Sequence, residues 1–339
     1  MVPLPFSISS SRAAAARRKV AAEIERLAGE GGQSSLEEAI AALVGGDVLP
    51  TPVLREALGS DGMPHLRPVL VHLAAQAGAQ AATDPAAAQD VAIIAELLNC
   101  AILLHDAALG NHDGRRRRAA RRVLKGAGAW LGGSHLTLRV LEIARRVPAP
   151  EIMGDALDAL REVSEGQSLR ASFEDHSPTT AETLQHLEAR HGAVFAFACK
   201  AGGHLAHAER PIVTRLGRYG RHTGVAWHLA EDLAAFDAHD DWKVLIRRAQ
   251  AGRPIFPVAW ATGKEPELGR LWRQLGVEPD PALASRVAAQ VRDAGGLGAG
   301  REALVQQSWS ARLALGTIPG SPARDSLERI AASLAQTTN

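Results

Sequence analysis

An all-α fold is what the sequence predicts, on three observations. Apolar residues recur at intervals of three and four nearly throughout, no stretch alternates over strand length, and aromatic residues make up only 4% of the chain. Short Gly, Pro, Asn and Asp clusters punctuate this pattern and set the elements in order. Segments 11–29 and 34–44 precede the break at Gly45-Gly46-Asp47, and 64–80 follows Ser60-Asp61-Gly62. Segment 86–109 is apolar nearly all round (QDVAIIAELLNCAILLH over 89–105), which places it at the centre of the fold rather than on its surface. The cluster Gly110-Asn111-His112-Asp113-Gly114 stops it, and 115–125 and 127–147 follow, closed by Pro148-Ala149-Pro150. Segment 151–173 runs to His176-Ser177-Pro178. Segment 180–208 opens on Thr179 or Thr180 as cap, with Glu182 placed where the helix dipole favours an acid. Segment 211–236 ends at Ala238-His239-Asp240-Asp241. The remaining helices are expected at 254–275, 281–293, 298–315 and 322–336, with breaks at Gly295-Gly296 and Pro319-Gly320.

No linker is long enough to divide the 339 residues, so the expectation is one helical domain over 11–339 behind a frayed tail of residues 1–10. A hydrophobic content of 46% excludes a disordered chain, and 38 basic against 37 acidic residues exclude function through a global field of one sign. Only five of the basic residues are lysine, and arginine abundance beside so much alanine reads as compositional bias rather than a nucleic-acid signature. Nowhere do eighteen apolar residues follow one another, so no transmembrane segment is expected. The N-terminal charges follow the short apolar stretch, the wrong order for a secretory signal. Cys100 and Cys199 lie in apolar runs without metal-ligand neighbours, which suits a buried, reduced pair in a cytoplasmic protein.

Two places carry chemistry. The apolar central helix ends in His105-Asp106, and after a turn come Arg115 to Arg118. An acid terminating a buried helix beside guanidinium groups suits an anion held through metal and arginine contacts; the alternative is a helix end followed by a solvated basic helix. The second place is Gly224 to Phe236, where Glu231 and Asp232 stand adjacent in an apolar run. Buried acids are costly unless paired or metal-bound, although exposure at the helix end would relieve them.

Taken with their neighbours, these landmarks resemble the trans-isoprenyl diphosphate synthases, or polyprenyl synthetases. Gly62-Met63-Pro64-His65-Leu66-Arg67-Pro68 resembles that family's GGKRLRP, Glu96 to Asp106 its ELIHTASLIHD, and Asp113 to Arg118 its DLRRGR. Leu131 to Leu136 is similar to LAGDYL, and Glu165-Gly166-Gln167 falls where an acid/Gln signature belongs. Arg190-His191-Gly192-Ala193-Val194-Phe195 is similar to KTAxLF, Gly224–Phe236 to GLAFQIxDDxxDF, and Gly252 to Pro257 to GKxTLP. The resemblance implies an isoprenoid-synthase-type bundle of long helices around a central cavity, usually a homodimer. It also implies two DDxxD motifs that hold Mg²⁺ on an allylic diphosphate, and a basic site for isopentenyl diphosphate.

The departures are concentrated at the polar positions. A DDxxD motif presents acids one turn apart on one helix face. Here the first motif reads Asp106-Ala107-Ala108-Leu109-Gly110 and the second Glu231-Asp232-Leu233-Ala234-Ala235, so three carboxylates stand where the family pattern has six. Asp113 and Asp237 lie beyond those helix faces. The isopentenyl site has Pro64 and His65 in place of a lysine and an arginine, and Asn99 in place of a histidine. His191 replaces a threonine, His228 a glutamine and Ser134 an aspartate, while the packing residues Leu103, Leu104, Leu233 and Phe236 keep their character.

The resemblance therefore assigns Asp106, Glu231 and Asp232 as the residual catalytic and metal positions, weak or absent as metal ligands. Arg67, Arg115, Arg116 and Arg190 are the diphosphate contacts it implies, and Ala101, Ile102, Phe195 and Trp227 its cavity-lining positions. For Trp227 plain core packing is the competing reading. The functional expectation is a catalytically degenerate homologue acting as partner or regulatory subunit of an active prenyl synthase, as a homodimer or a heterodimer with that enzyme. The alternative is an active Mg²⁺-dependent prenyltransferase or terpene-cyclase-like enzyme on an allylic isoprenyl diphosphate. The cofactor is Mg²⁺ if the chain is active and none otherwise. A helical nucleic-acid or membrane-surface binder using Arg115 to Arg122 is disfavoured by the near-zero net charge and the lack of interleaved aromatics. The thirteen histidines form no recognisable ligand set.

Overall fold

The computed structural model describes residues 66–80, 82–109, 127–173, 176–236 and 242–335. The expected tail 1–10, the segments 11–29, 34–44 and 115–125, and the residues Arg115, Arg116, Asp113 and Asp237 lie outside the described residues.

Every regular element among the described residues is helical. In chain order they are α1 (Leu66–Ala77), α2 (Pro85–Leu109), α3 (Ala127–Ala144), α4 (Glu151–Ser172) and α5 (Thr180–Leu187). A single π-helical turn, Glu188–Gly192, leads into α6 (Ala193–Leu205), followed by α7 (Arg210–Ala234), α8 (Lys243–Gln250) and α9 (Phe256–Lys264). Then come α10 (Pro266–Val277), α11 (Pro281–Asp293), α12 (Gly296–Ala314) and α13 (Pro322–Ala335).

As its sequence required, α2 is central: it packs on α1, α3 and α6, and its run from Val91 to Ala101 is buried without interruption. By length and composition it could cross a membrane, but most of its surface is covered by its own protein. The alanine-rich α6 is almost wholly buried and touches α1, α2, α4 and α7. Helix α7 in turn carries α12 on its other side. Close approach of α6 and α7 depends on Gly220, where an added Cβ would lie 2.3 Å from the Phe195 carbonyl oxygen. One contiguous apolar core runs from Leu66 in α1 to Leu334 in α13.

Three expectations need correction. Segment 180–208 is not one helix, because an i→i+5 bond from the Ala193 N–H to the Glu188 carbonyl inserts a π turn. Segment 254–275 divides at Glu265, whose extended backbone precedes Pro266, a residue that disfavours helical geometry in its predecessor. Helix α8 was not anticipated: it buries only Leu245 and Ala249, too little to mark a period. The α5 start is resolved in favour of Thr179. Its Oγ1 accepts from the Glu182 N–H at 3.2 Å while the Glu182 carboxylate accepts from the Thr179 N–H at 2.8 Å, a reciprocal capping box.

Candidate functional site

Asp106 sits in the last turn of α2 and is 1% exposed. Three guanidinium groups from three separate elements reach its carboxylate. Arg190 of the π turn is in direct contact, Arg170 of α4 lies at 3.3 Å, and Arg253 from the loop after α8 at 3.7 Å. Arg170 also donates to the Ala251 carbonyl at 2.8 Å, which ties α4 to the same loop. The π turn matters here because its extra residue shifts the side-chain phase of the helix, and Arg190 is the residue carried inward, 3% exposed.

The second acidic pair, at the C-terminal end of α7, has its own guanidinium. Arg248 of α8 contacts Asp232 directly and stands 3.9 Å from Glu231. The other Asp232 oxygen accepts from the Phe256 N–H at 3.2 Å. Burial pushes the Asp232 carboxyl up to about 6 against the opposing pull of Arg248 and that N–H, so it is largely ionised at neutral pH. Glu231 is 3.1 Å from His228 Nδ1.

A continuous run of side chains joins the two acidic places. From Asp106 it passes through Arg190, whose Nε–H donates to His191 Nε2 at 3.2 Å. His191 stacks on His228 with ring centroids 3.2 Å apart, and His228 leads to Glu231, Arg248 and Asp232. An Nε2 that accepts from a guanidinium carries no proton, so His191 is the neutral Nδ1–H tautomer. Burial, the neighbouring His228 and the Arg190 charge all hold its pKa well below the usual imidazole value. His186, next to this run, is bonded through Nδ1 to the Gly166 carbonyl at 3.0 Å and is depressed by burial, and then by Arg190, to about 3.

The structure thus unites Asp106 with Arg190, and Glu231 with Asp232. Arg67 is placed elsewhere in the interior: its Nε and Nη2 form a two-point pair with Glu96 at 3.1 and 3.0 Å, both side chains buried, and its guanidinium lies 5.9 Å from the Phe195 ring centroid. Ala101, Ile102, Phe195 and Trp227 are all buried within the apolar core. Arg170 and Arg248 were missed by sequence reasoning. Arg170 stands one turn after Gln167 in the acid/Gln segment, a signal that could have found it; for Arg248 the only signal was a basic pair at the end of an unrecognised helix. Arg253 was visible only as part of the Gly252–Pro257 segment.

In chemical terms, each of the three carboxylates accepts from or faces a cation of the chain itself. Among the described residues no three His, Cys, Asp or Glu side chains converge to hold a metal ion.

Comparison with known proteins gives a consistent result. The family model described as polyprenyl synthetase matches residues 54–275. A (2E,6E)-farnesyl diphosphate synthase of Mycobacterium tuberculosis is 30% identical over 213 residues, 60% of this chain and 58% of that enzyme, so the match spans less than two thirds of the relative's length. A prenyl transferase of Synechocystis is 26% identical over 279 residues, covering 80% of this chain and 85% of the relative. Among solved structures, a polyprenyl synthase from Caulobacter crescentus complexed with calcium and isoprenyl diphosphate superposes with a TM-score of 0.77 at 25% identity, over 93% of this chain and 97% of that one. A geranylgeranyl pyrophosphate synthase from Lactobacillus brevis gives a TM-score of 0.78 at 20% identity, over 92% and 98% of the two chains, a likeness of fold.

Proposed function

The chain belongs to the polyprenyl synthetase family, and from that premise we propose that it is a member relieved of catalysis, acting as partner or regulatory subunit of an active prenyl synthase. The observation that carries this reading is the engagement of Asp106, Glu231 and Asp232 by Arg170, Arg190, Arg253 and Arg248. Magnesium asks for six oxygen ligands in near-ideal octahedral geometry and takes a few of them from ionised carboxylates. The carboxylates present do not fit that demand. Asp106 is ringed by cations, which repel a divalent ion, and Asp232 is occupied on both oxygens by Arg248 and the Phe256 N–H. With three acids in place of six and each already paired, no step of the family's chemistry is routed through a metal here.

Under this reading the arginines neutralise the acids, and the run from Arg190 through His191 and His228 to Glu231 links the ends of α2 and α7. What remains to act on a partner is the helical frame, the feature retained while the polar positions changed.

The test is twofold. Mixed with a family member carrying complete DDxxD motifs, the chain is expected to form a hetero-oligomer visible by native mass spectrometry; persistence of two separate homo-oligomers counts against the partner role. Incubated with Mg²⁺, isopentenyl diphosphate and an allylic diphosphate, it is expected to yield no product. Turnover that disappears in Asp106→Ala and Asp232→Ala would establish the alternative, an enzyme working with a reduced metal site.

A further inference from the structure

We propose that α8 and the turn after it, residues 243–253, form a latch: a segment fastened across the ends of α2, α4 and α7 chiefly by its arginines, which opens locally while the helical core stays folded. The latch goes beyond the partner reading and holds with or without turnover.

Helix α8 has eight residues, of which Leu245 and Ala249 are buried, and it packs chiefly on α10 and α11. Isolated helices shorter than about 12 residues are marginal in water, so α8 depends on its fastenings. Towards the acidic ends those fastenings are polar. Arg248 contacts Asp232 and lies 3.9 Å from Glu231, Arg253 lies 3.7 Å from Asp106, and the Ala251 carbonyl accepts from Arg170 at 2.8 Å. Water can replace each of these partners when the segment lifts, which it cannot do for the apolar contacts of α2 and α6.

The charges are also distributed to suit opening. The Asp232 and Asp106 side chains are 3% and 1% exposed, whereas those of Arg248 and Arg253 are 18% and 33% exposed. The carboxylates belong to the interior and the arginines to its rim, so the arginines reach water by moving with the segment.

Gly252 supplies the pivot. Its φ of 57° is left-handed, and an added Cβ would meet nothing within 4 Å, so glycine serves the direction of the chain there and not close packing. The Gly252 N–H donates to the Ala249 carbonyl at 2.9 Å, ending α8, and the chain then turns through Arg253 into the buried Pro254, Ile255 and Phe256. One end of the latch is thereby anchored in the core.

The experiment is hydrogen exchange of the full chain, read by mass spectrometry without metal or diphosphate at about 0.05 and about 0.5 M NaCl. Residues 243–253 are expected to exchange as a unit at least about tenfold faster than α6, and faster still at the higher salt. Arg248→Gln combined with Arg253→Gln should speed that unit at least about fivefold more and remove most of the salt dependence, leaving α6 unchanged. Gly252→Ala alters no charge but strains the left-handed turn, and should speed the same residues; Gly252→Asn, which tolerates that conformation, should restore most of the protection. These glycine variants and the wild-type salt series decide the matter even where the arginine variant fails to fold. Exchange of 243–253 only together with α6 overturns the proposal. So does a wild-type segment indifferent to salt, an arginine variant that speeds α6 equally, or a Gly252→Ala segment that exchanges as the wild type does. Prenyl transfer assayed on the same samples keeps the two readings apart. Turnover removes the non-catalytic reading and leaves the latch, whereas absence of local opening removes the latch alone.

Discussion

Asp232 and His186 are buried titratable groups on either side of the arginine network, and their protonation leaves opposite marks on stability. The folded Asp232 carboxyl sits at about 6, above its ordinary 3.8, so between those values the native state keeps a proton that the unfolded chain has released. Stability from this residue therefore falls as pH rises from about 4 to 6 and is level above; two pKa units correspond to about 3 kcal/mol. Comparing wild type with Asp232→Asn by urea denaturation from pH 4 to 7 should show the wild type losing about that much relative to the variant. His186, depressed to about 3, does the reverse: the unfolded chain takes a proton below 6.5 that the native ring refuses, so its contribution grows as pH rises from 3 to 6.5. His186→Gln should flatten that acid-side loss in the same measurement. The buried Arg67–Glu96 pair offers a third test at this scale. Glu96→Ala removes the two-point carboxylate partner of a buried guanidinium and should cost about 3–5 kcal/mol, whereas replacing both partners by apolar residues of similar volume should cost much less.

Between residues and the whole fold, the π turn is the element that decides where Arg190 points. It packs on α4 at Gly166, where an added Cβ would fall 2.9 Å from the Ala189 Cβ. Gly166→Ala is expected to push the turn outward, lowering stability by about 1–3 kcal/mol and loosening the Arg190–Asp106 contact, which would register as faster amide exchange over 188–192. Thr179→Ala removes one half of the α5 capping box and should cost about 1 kcal/mol by thermal unfolding. These elements were legible to different degrees, for physical reasons. Helix α2 declared itself because an all-round apolar run has nowhere to go but the interior, and Thr179-Glu182 because a capping box is a local pattern. The π turn was invisible, since one inserted residue leaves a mostly apolar stretch still looking helical. Asp106 and Arg190 could be singled out from motifs, but their union, and the arrival of Arg170 from 64 residues away, are products of tertiary packing that no spacing rule encodes.

At the scale of the molecule, the family's helical frame is kept while its acidic positions are answered by arginines of the same chain. Aligned motifs spread from Gly62 to Pro257 made the frame readable, because packing positions tolerate little change in volume. Under the proposed reading the chemistry was legible only as fewer carboxylates than the family pattern quoted above, because a guanidinium brought beside an acid by tertiary packing leaves no local signature in a sequence. The central claim is that these carboxylates serve arginines rather than magnesium. Its most direct test is a single-turnover incubation of the chain with Mg²⁺, isopentenyl diphosphate and radiolabelled farnesyl diphosphate, followed by separation of prenyl products. Recovery of unreacted farnesyl diphosphate alone is the predicted result; an elongated product that vanishes in Asp106→Ala would contradict it.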